Sequence, residues 1–161
     1  MAGGNAVVIA LEDLSTAGLV AVEGAHVVRD TDAGAVVLLH VLDNHPVVGA
    51  MFSAGGQCLP LTATSEEVEV IFSLAEQVLR AELTALGHAI PAIEREIAEG
   101  NIPTAIEETA AAHDAAVIVL GARRPHAFGR LLHPDVRSHV ATHAPCRVHV
   151  AALQEVVSRE P

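Results

Sequence analysis

Hydrophobic positions in this chain fall into two kinds of segment that alternate. Continuous β-branched runs occur at Ala6 to Leu11 (AVVIAL), Ala35 to Leu42 (AVVLLHVL) and Ala115 to Leu120 (AAVIVL). Such short, wholly apolar runs predict strands buried on both faces, as a parallel sheet requires. Between them, apolar residues recur at helical spacing. Ser15 to Asp30 carries Leu19, Val22, Ala25 and Val28-Arg29 in that register and predicts a helix broken by Thr31-Asp32-Ala33-Gly34. Thr64-Ser65-Glu66-Glu67 opens a second helix, with Thr64 and Glu67 in capping-box register. Its stripe is Val68, Ile71, Leu74, Ala75, Val78, Leu79 and Leu83, and Gly87 ends it.

The remaining segments are shorter or more polar. Ala89 to Ala98 (AIPAIEREIA) combines a proline with clustered charge, which suits an edge strand protected against foreign pairing. Gly100-Asn101-Ile102-Pro103 turns into a helix over Thr104 to His113. Asp135 to His143 predicts a short helix that Pro145 cannot continue. Cys146 to Ala151 alternates, with Val148 and Val150 on the face opposite Arg147 and His149, and reads as a last strand. Asp43 to Ala63 holds Pro46, Gly49, Gly55-Gly56 and Pro60 and predicts a long loop. Gly121 to Pro134 predicts a second loop, rich in arginine and histidine. The order β-α-β-α-β-α-β-α-β implies an α/β fold, a doubly wound parallel sheet with helices on both faces and right-handed crossovers. Residues 1–152 make one domain and 153–161 a tail.

Composition narrows the function. A net charge of -11 disfavours nucleic acid and anionic membranes as partners. All nine basic residues are arginine, so neither a Schiff-base lysine nor a Walker-type phosphate lysine exists. With Trp and Tyr absent, aromatic binding platforms are unavailable. Cys58 and Cys146 fit no zinc or redox spacing, which is the usage expected of a reducing compartment. The N-terminus lacks a basic signal-peptide region, and no apolar run approaches the ~20 residues of a membrane span. A cytoplasmic location is expected.

Four stretches together resemble the universal stress protein family along nearly the whole chain. They are VVIALED at the first strand, VVLLHVLD at the second, the turn Gly100-Asn101-Ile102-Pro103-Thr104-Ala105-Ile106, and the C-terminal series VIVLGARR, FGRLL and HVATHAPCRVHVA. The resemblance implies a five-stranded sheet in the order 3-2-1-4-5, of the adenine nucleotide alpha hydrolase-like kind. It also implies a homodimer in which the last strands, Cys146 to Ala151, pair antiparallel.

Many members of that family bind ATP through Gly-x-x-Gly, nine residues, then Gly-Ser or Gly-Thr, whose backbone N–H groups cradle the phosphates. Here Gly121 matches the first position, Arg124 replaces the second glycine, and Pro134-Asp135 replaces the final pair. Proline removes a donor, and an ionised Asp135 at a helix start repels phosphate while serving well as an N-cap. The family's aspartate after the first strand corresponds to Glu12. The expectation is therefore a degraded ATP motif and no cofactor. The alternative is ATP or another adenine nucleotide, with adenine near Val41 and phosphate on Arg123, Arg124 and Arg130. His126 and His133 belong to the same basic loop, and His45 lies in the loop expected to border the crevice.

Other constellations are weaker. His139 and His143 stand at i, i+4, but no cysteine or carboxylate lies near them at a recognisable ligand spacing, so a surface pair is the expectation and no metal is assigned. His40, inside a buried strand, reads as a satisfied core or strand-end histidine. Cys146 reads as a buried apolar thiol and Cys58 as an exposed loop thiol. No GxSxG elbow occurs, and Ser53 sits in a plain loop fragment, so no catalytic set is assigned. Three readings result: a dimeric, non-enzymatic stress-response protein acting on an unidentified protein partner, an adenine-nucleotide-binding sensor, and a weak nucleotide hydrolase.

Overall fold

A computed structural model describes residues 4–43, 65–122 and 136–152. Within them β1 (Ala6–Leu11) leads to α1 (Leu14–Thr31), β2 (Ala35–Asp43), α2 (Ser65–Ala85), β3 (Ala92–Gly100), α3 (Ile102–Ala112), β4 (Ala115–Ala122), α4 (Val136–His143) and β5 (Arg147–Ala152). The strands form a single sheet in the order β3-β2-β1-β4-β5, with every neighbouring pair parallel. This is the expected doubly wound α/β architecture. The step from β1 to β2 runs one way along the sheet and the step from β4 to β5 the other. Right-handed crossovers therefore put α1 and α4 on opposite faces.

The pleat divides the core accordingly. Val7, Ile9 and Leu11 of β1 join Val36 and Leu38 of β2 beneath α1 and α2. Val8, Val37, Leu39, Ile118 and Leu120 point the other way, toward Ile106 and Ala110 of α3 and Val140 of α4. Ile9, Leu38, Leu39, Leu79, Leu83 and Ile118 are fully buried. Burying each such side chain contributes about 1.5–3 kcal/mol relative to leaving it exposed.

Several boundaries and core assignments differ from the sequence reading. Leu19 is 48% exposed, and α1 instead buries Ala17, Val20, Ala21, Gly24, Ala25, Val27 and Val28. Small residues dominate that face because α1 lies close to the sheet. A Cβ on Gly24 would run into Cδ1 of Ile9. In α2, Phe72 joins the buried face, whereas Leu74 and Val78 are only partly covered. β3 begins at Ala92, three residues late, because Pro91 has no N–H while Ala92 N–H donates to the Gly34 carbonyl at 3.2 Å. α3 begins at Ile102, two residues early. Asn101 caps it, its Oδ1 accepting from Thr104 N–H at 3.2 Å, and Pro103 occupies the first turn, where no hydrogen bond is lost. Asp43 and Gly121, both read as the first residues of loops, are strand residues paired with Gly100 and Ala151. β5 starts at Arg147 and includes Ala152, one residue later at each end than expected. Gly87, in the left-handed region at φ 70°, ends α2 as the sequence indicates.

With no lysine available, histidine takes over much of the surface pairing. His26, His88, His113, His139 and His149 contact Glu82, Asp32, Glu96, Glu107 and Glu23 at 3.3, 3.0, 2.6, 2.9 and 3.2 Å. Arg95 on β3 bridges to Glu69 and Glu76 of α2 at 2.6 and 3.3 Å and lies over the Phe72 ring. No helix of the described residues is long and apolar enough to cross a membrane.

Candidate functional site

In a doubly wound sheet, ligands enter at the carboxyl ends of the strands where the strand order reverses. Here that point lies between β1 and β4. The register sets Leu11 beside His40 and Ile9 beside Val119, so Glu12, Val41 and Gly121 all emerge at this same edge of the sheet. Three residues distant in sequence are thus brought together. Their roles differ from one another. Glu12 is exposed at the rim. Val41 is partly buried and packs with Ala10 against the cluster beneath α3 and α4. Gly121 is held in β4 by its pairing with Ala151. Arg123, Arg124, Arg130 and Asp135 lie outside the described residues, as do His45, Cys58, His126 and His133.

Two groups at this edge carry structure, of which the sequence reading missed the first and anticipated the second. Asp13, one residue past Glu12, is the N-cap of α1. Its Oδ1 accepts from Thr16 N–H at 3.0 Å, Thr16 Oγ1 at 3.0 Å and Ser15 Oγ at 2.7 Å. The positive end of the α1 dipole, which opens at the crevice, therefore already holds a carboxylate of the chain itself. The motif D-x-S/T before a helical run was the available signal. The second group is His40. It is buried, and its Nδ1–H donates to the Leu11 carbonyl at 2.9 Å, tying the end of β2 to the end of β1. The satisfied strand-end histidine is therefore what the structure contains.

The thiol of Cys146 sits half-buried against the cluster beneath α3 and α4. Burial pushes its pKa up, and a backbone hydrogen bond from Ile118 opposes this more weakly. The neutral thiol is the form favoured at this position, in keeping with a packing role. On the outer side of α4, His139 and His143 are joined by Glu107 of α3, a carboxylate far removed from them in sequence.

No curated protein sequence matches this one. Solved structures do share its fold. A universal stress protein in complex with cAMP superposes with a TM-score of 0.63 at 16% identity, covering 92% of this chain and 97% of its own. A universal stress protein from Archaeoglobus fulgidus in complex with dAMP gives 0.60 at 19% identity, covering 94% and 100%. The universal stress protein UspA from Lactobacillus plantarum gives 0.57 at 20% identity, covering 94% and 100%. Their architecture is adenine nucleotide alpha hydrolase-like. At such identities the likeness speaks to fold alone, but the sequence model of the Universal stress protein family matches residues 5–152. This chain belongs to the universal stress protein family.

Proposed function

We propose that this chain serves the stress response as a non-enzymatic homodimer joined through β5, acting by protein contact and without a working ATP site. The observation that carries the reading is the contrast between the two edges of the sheet. β3 bears Glu94, Arg95, Glu96 and Glu99 among its nine residues, a charge density that discourages pairing with another chain. β5 is RVHVAA, with Val148 against the core beneath α3 and α4 and His149 reaching Glu23 of α1. Among the described residues, β5 pairs along one side only, with β4. An antiparallel partner strand would satisfy the backbone groups along the other. Sedimentation velocity tests this directly. The wild-type chain is expected to sediment as a dimer and Val148→Pro as a monomer, since proline removes a ladder donor. A dimeric Val148→Pro variant places the interface elsewhere.

Loss of the ATP site is supported by Arg124 and Pro134-Asp135 in the family's glycine positions, and by Asp13 occupying the start of α1. A cytoplasmic location accords with cysteines that fit no disulfide or zinc spacing. A second reading, an adenine-nucleotide sensor, is favoured by structural neighbours that hold cAMP and dAMP. Chromatography and mass spectrometry of the denatured protein separate the two. Stoichiometric adenine nucleotide would give the sensor reading the lead. No release, followed by no binding in an ATP titration, supports the nucleotide-free dimer. Weak hydrolysis would require turnover that disappears in Glu12→Gln.

A further inference from the structure

We propose that His139, His143 and Glu107 form a site for a divalent transition-metal ion of the zinc class, tying α4 to α3. The geometry begins with the helix. Residues four apart share one face, so both imidazoles project from α4 on the same side, their ring centroids 4.3 Å apart. α3 packs beside α4 and supplies Glu107 to that side. One ligand atom from each of the three residues lies within 4.8 Å of the others.

Hydrogen bonding prepares the nitrogens. The Nδ1–H of His143 donates to the His139 carbonyl at 3.0 Å, which leaves Nε2 with its lone pair, the tautomer typical of metal-bound imidazole. His139 Nδ1 stands 2.9 Å from Glu107 Oε1, so one proton is shared there that a cation can replace. Zinc bonds of about 2.0–2.1 Å place tetrahedral ligands roughly 3.3 Å apart. The cluster must therefore contract by about 1–1.5 Å from its widest separation, a movement that rotation of two exposed imidazoles supplies.

Two imidazoles and a single carboxylate favour Zn²⁺, Ni²⁺ or Cu²⁺ over Mg²⁺ or Ca²⁺, which take oxygen-rich sites. The exposed position leaves the remaining coordination sites to water. The net charge of -11 raises the local concentration of cations.

The test is titration of ZnCl₂ into the full-length, tag-free protein by calorimetry, with Co²⁺ absorption reporting coordination by nitrogen. A single tight site is expected. Glu107→Gln should weaken it about tenfold, and His139→Ala or His143→Ala by that much or more. His113→Ala, whose imidazole pairs with Glu96 elsewhere on the surface, should leave it unchanged. Far-UV circular dichroism checks that each variant is folded. Unchanged affinity in His139→Ala and His143→Ala would overturn the site. Equal weakening by His113→Ala would also overturn it, showing dispersed binding to surface histidines.

Discussion

Removing the carboxylate that caps α1 separates two consequences of one side chain. Asp13 Oδ1 accepts three hydrogen bonds at the helix start, from the Thr16 backbone, Thr16 Oγ1 and Ser15 Oγ. Asp13→Ala removes the cap, at a cost of about 1 kcal/mol. It also removes a negative charge from the positive end of the dipole, worth roughly 0.3–1 kcal/mol more. A chain of 161 residues loses about 2–4 °C in Tm per kcal/mol, so the variant should melt roughly 3–8 °C lower. Asp13→Asn keeps an equally good cap and forfeits only the charge, so its loss should stay within about 4 °C. The same neutralisation unblocks the helix start at the crevice. Phosphate or AMP should therefore bind Asp13→Asn more tightly than wild type, by a few-fold. Thermal unfolding followed at the helical circular-dichroism band gives the first quantity and calorimetric titration the second. Equal destabilisation of the two variants would refute the capping argument. Unaltered anion affinity in Asp13→Asn would refute the claim that this carboxylate guards the crevice.

Gly24→Ala should destabilise the fold although alanine is the better helix former by about 1 kcal/mol. The new methyl meets Cδ1 of fully buried Ile9, and overpacking costs roughly 1–3 kcal/mol, so a urea midpoint above wild type would contradict the packing argument. Cys146 should alkylate with iodoacetamide more slowly in the native protein than in urea at the same pH, because burial holds the thiol protonated. Peptide-resolved mass spectrometry reads this, and equal native and denatured rates would count against it. The linked stability follows the raised pKa. It is fully present below the unfolded thiol pKa and is lost as pH rises through the folded one, so stability should fall in alkaline solution.

By itself, the sequence determined the alternation of strands and helices, because burial on both faces leaves continuous runs such as AVVLLHVL, and single-face burial leaves helical spacing. It also marked β3 as an edge, since Glu94-Arg95-Glu96 cannot be buried on both sides. Its errors fell where local pattern is degenerate. Leu19 and Phe72 both fit a helical period, and only the docking angle of each helix decided that Phe72 is buried and Leu19 is not. Strand ends such as Asp43 and Gly121 look like loop residues, yet ladder pairing with Gly100 and Ala151 holds them in the sheet. The candidate sites depended most on tertiary structure. Glu12, Val41 and Gly121 meet because three strands end at one edge, and Glu107 reaches His139 because α3 packs against α4. A one-dimensional pattern reports which residues avoid water. Which distant residues share a hydrogen bond or an ion is decided only when the layers dock.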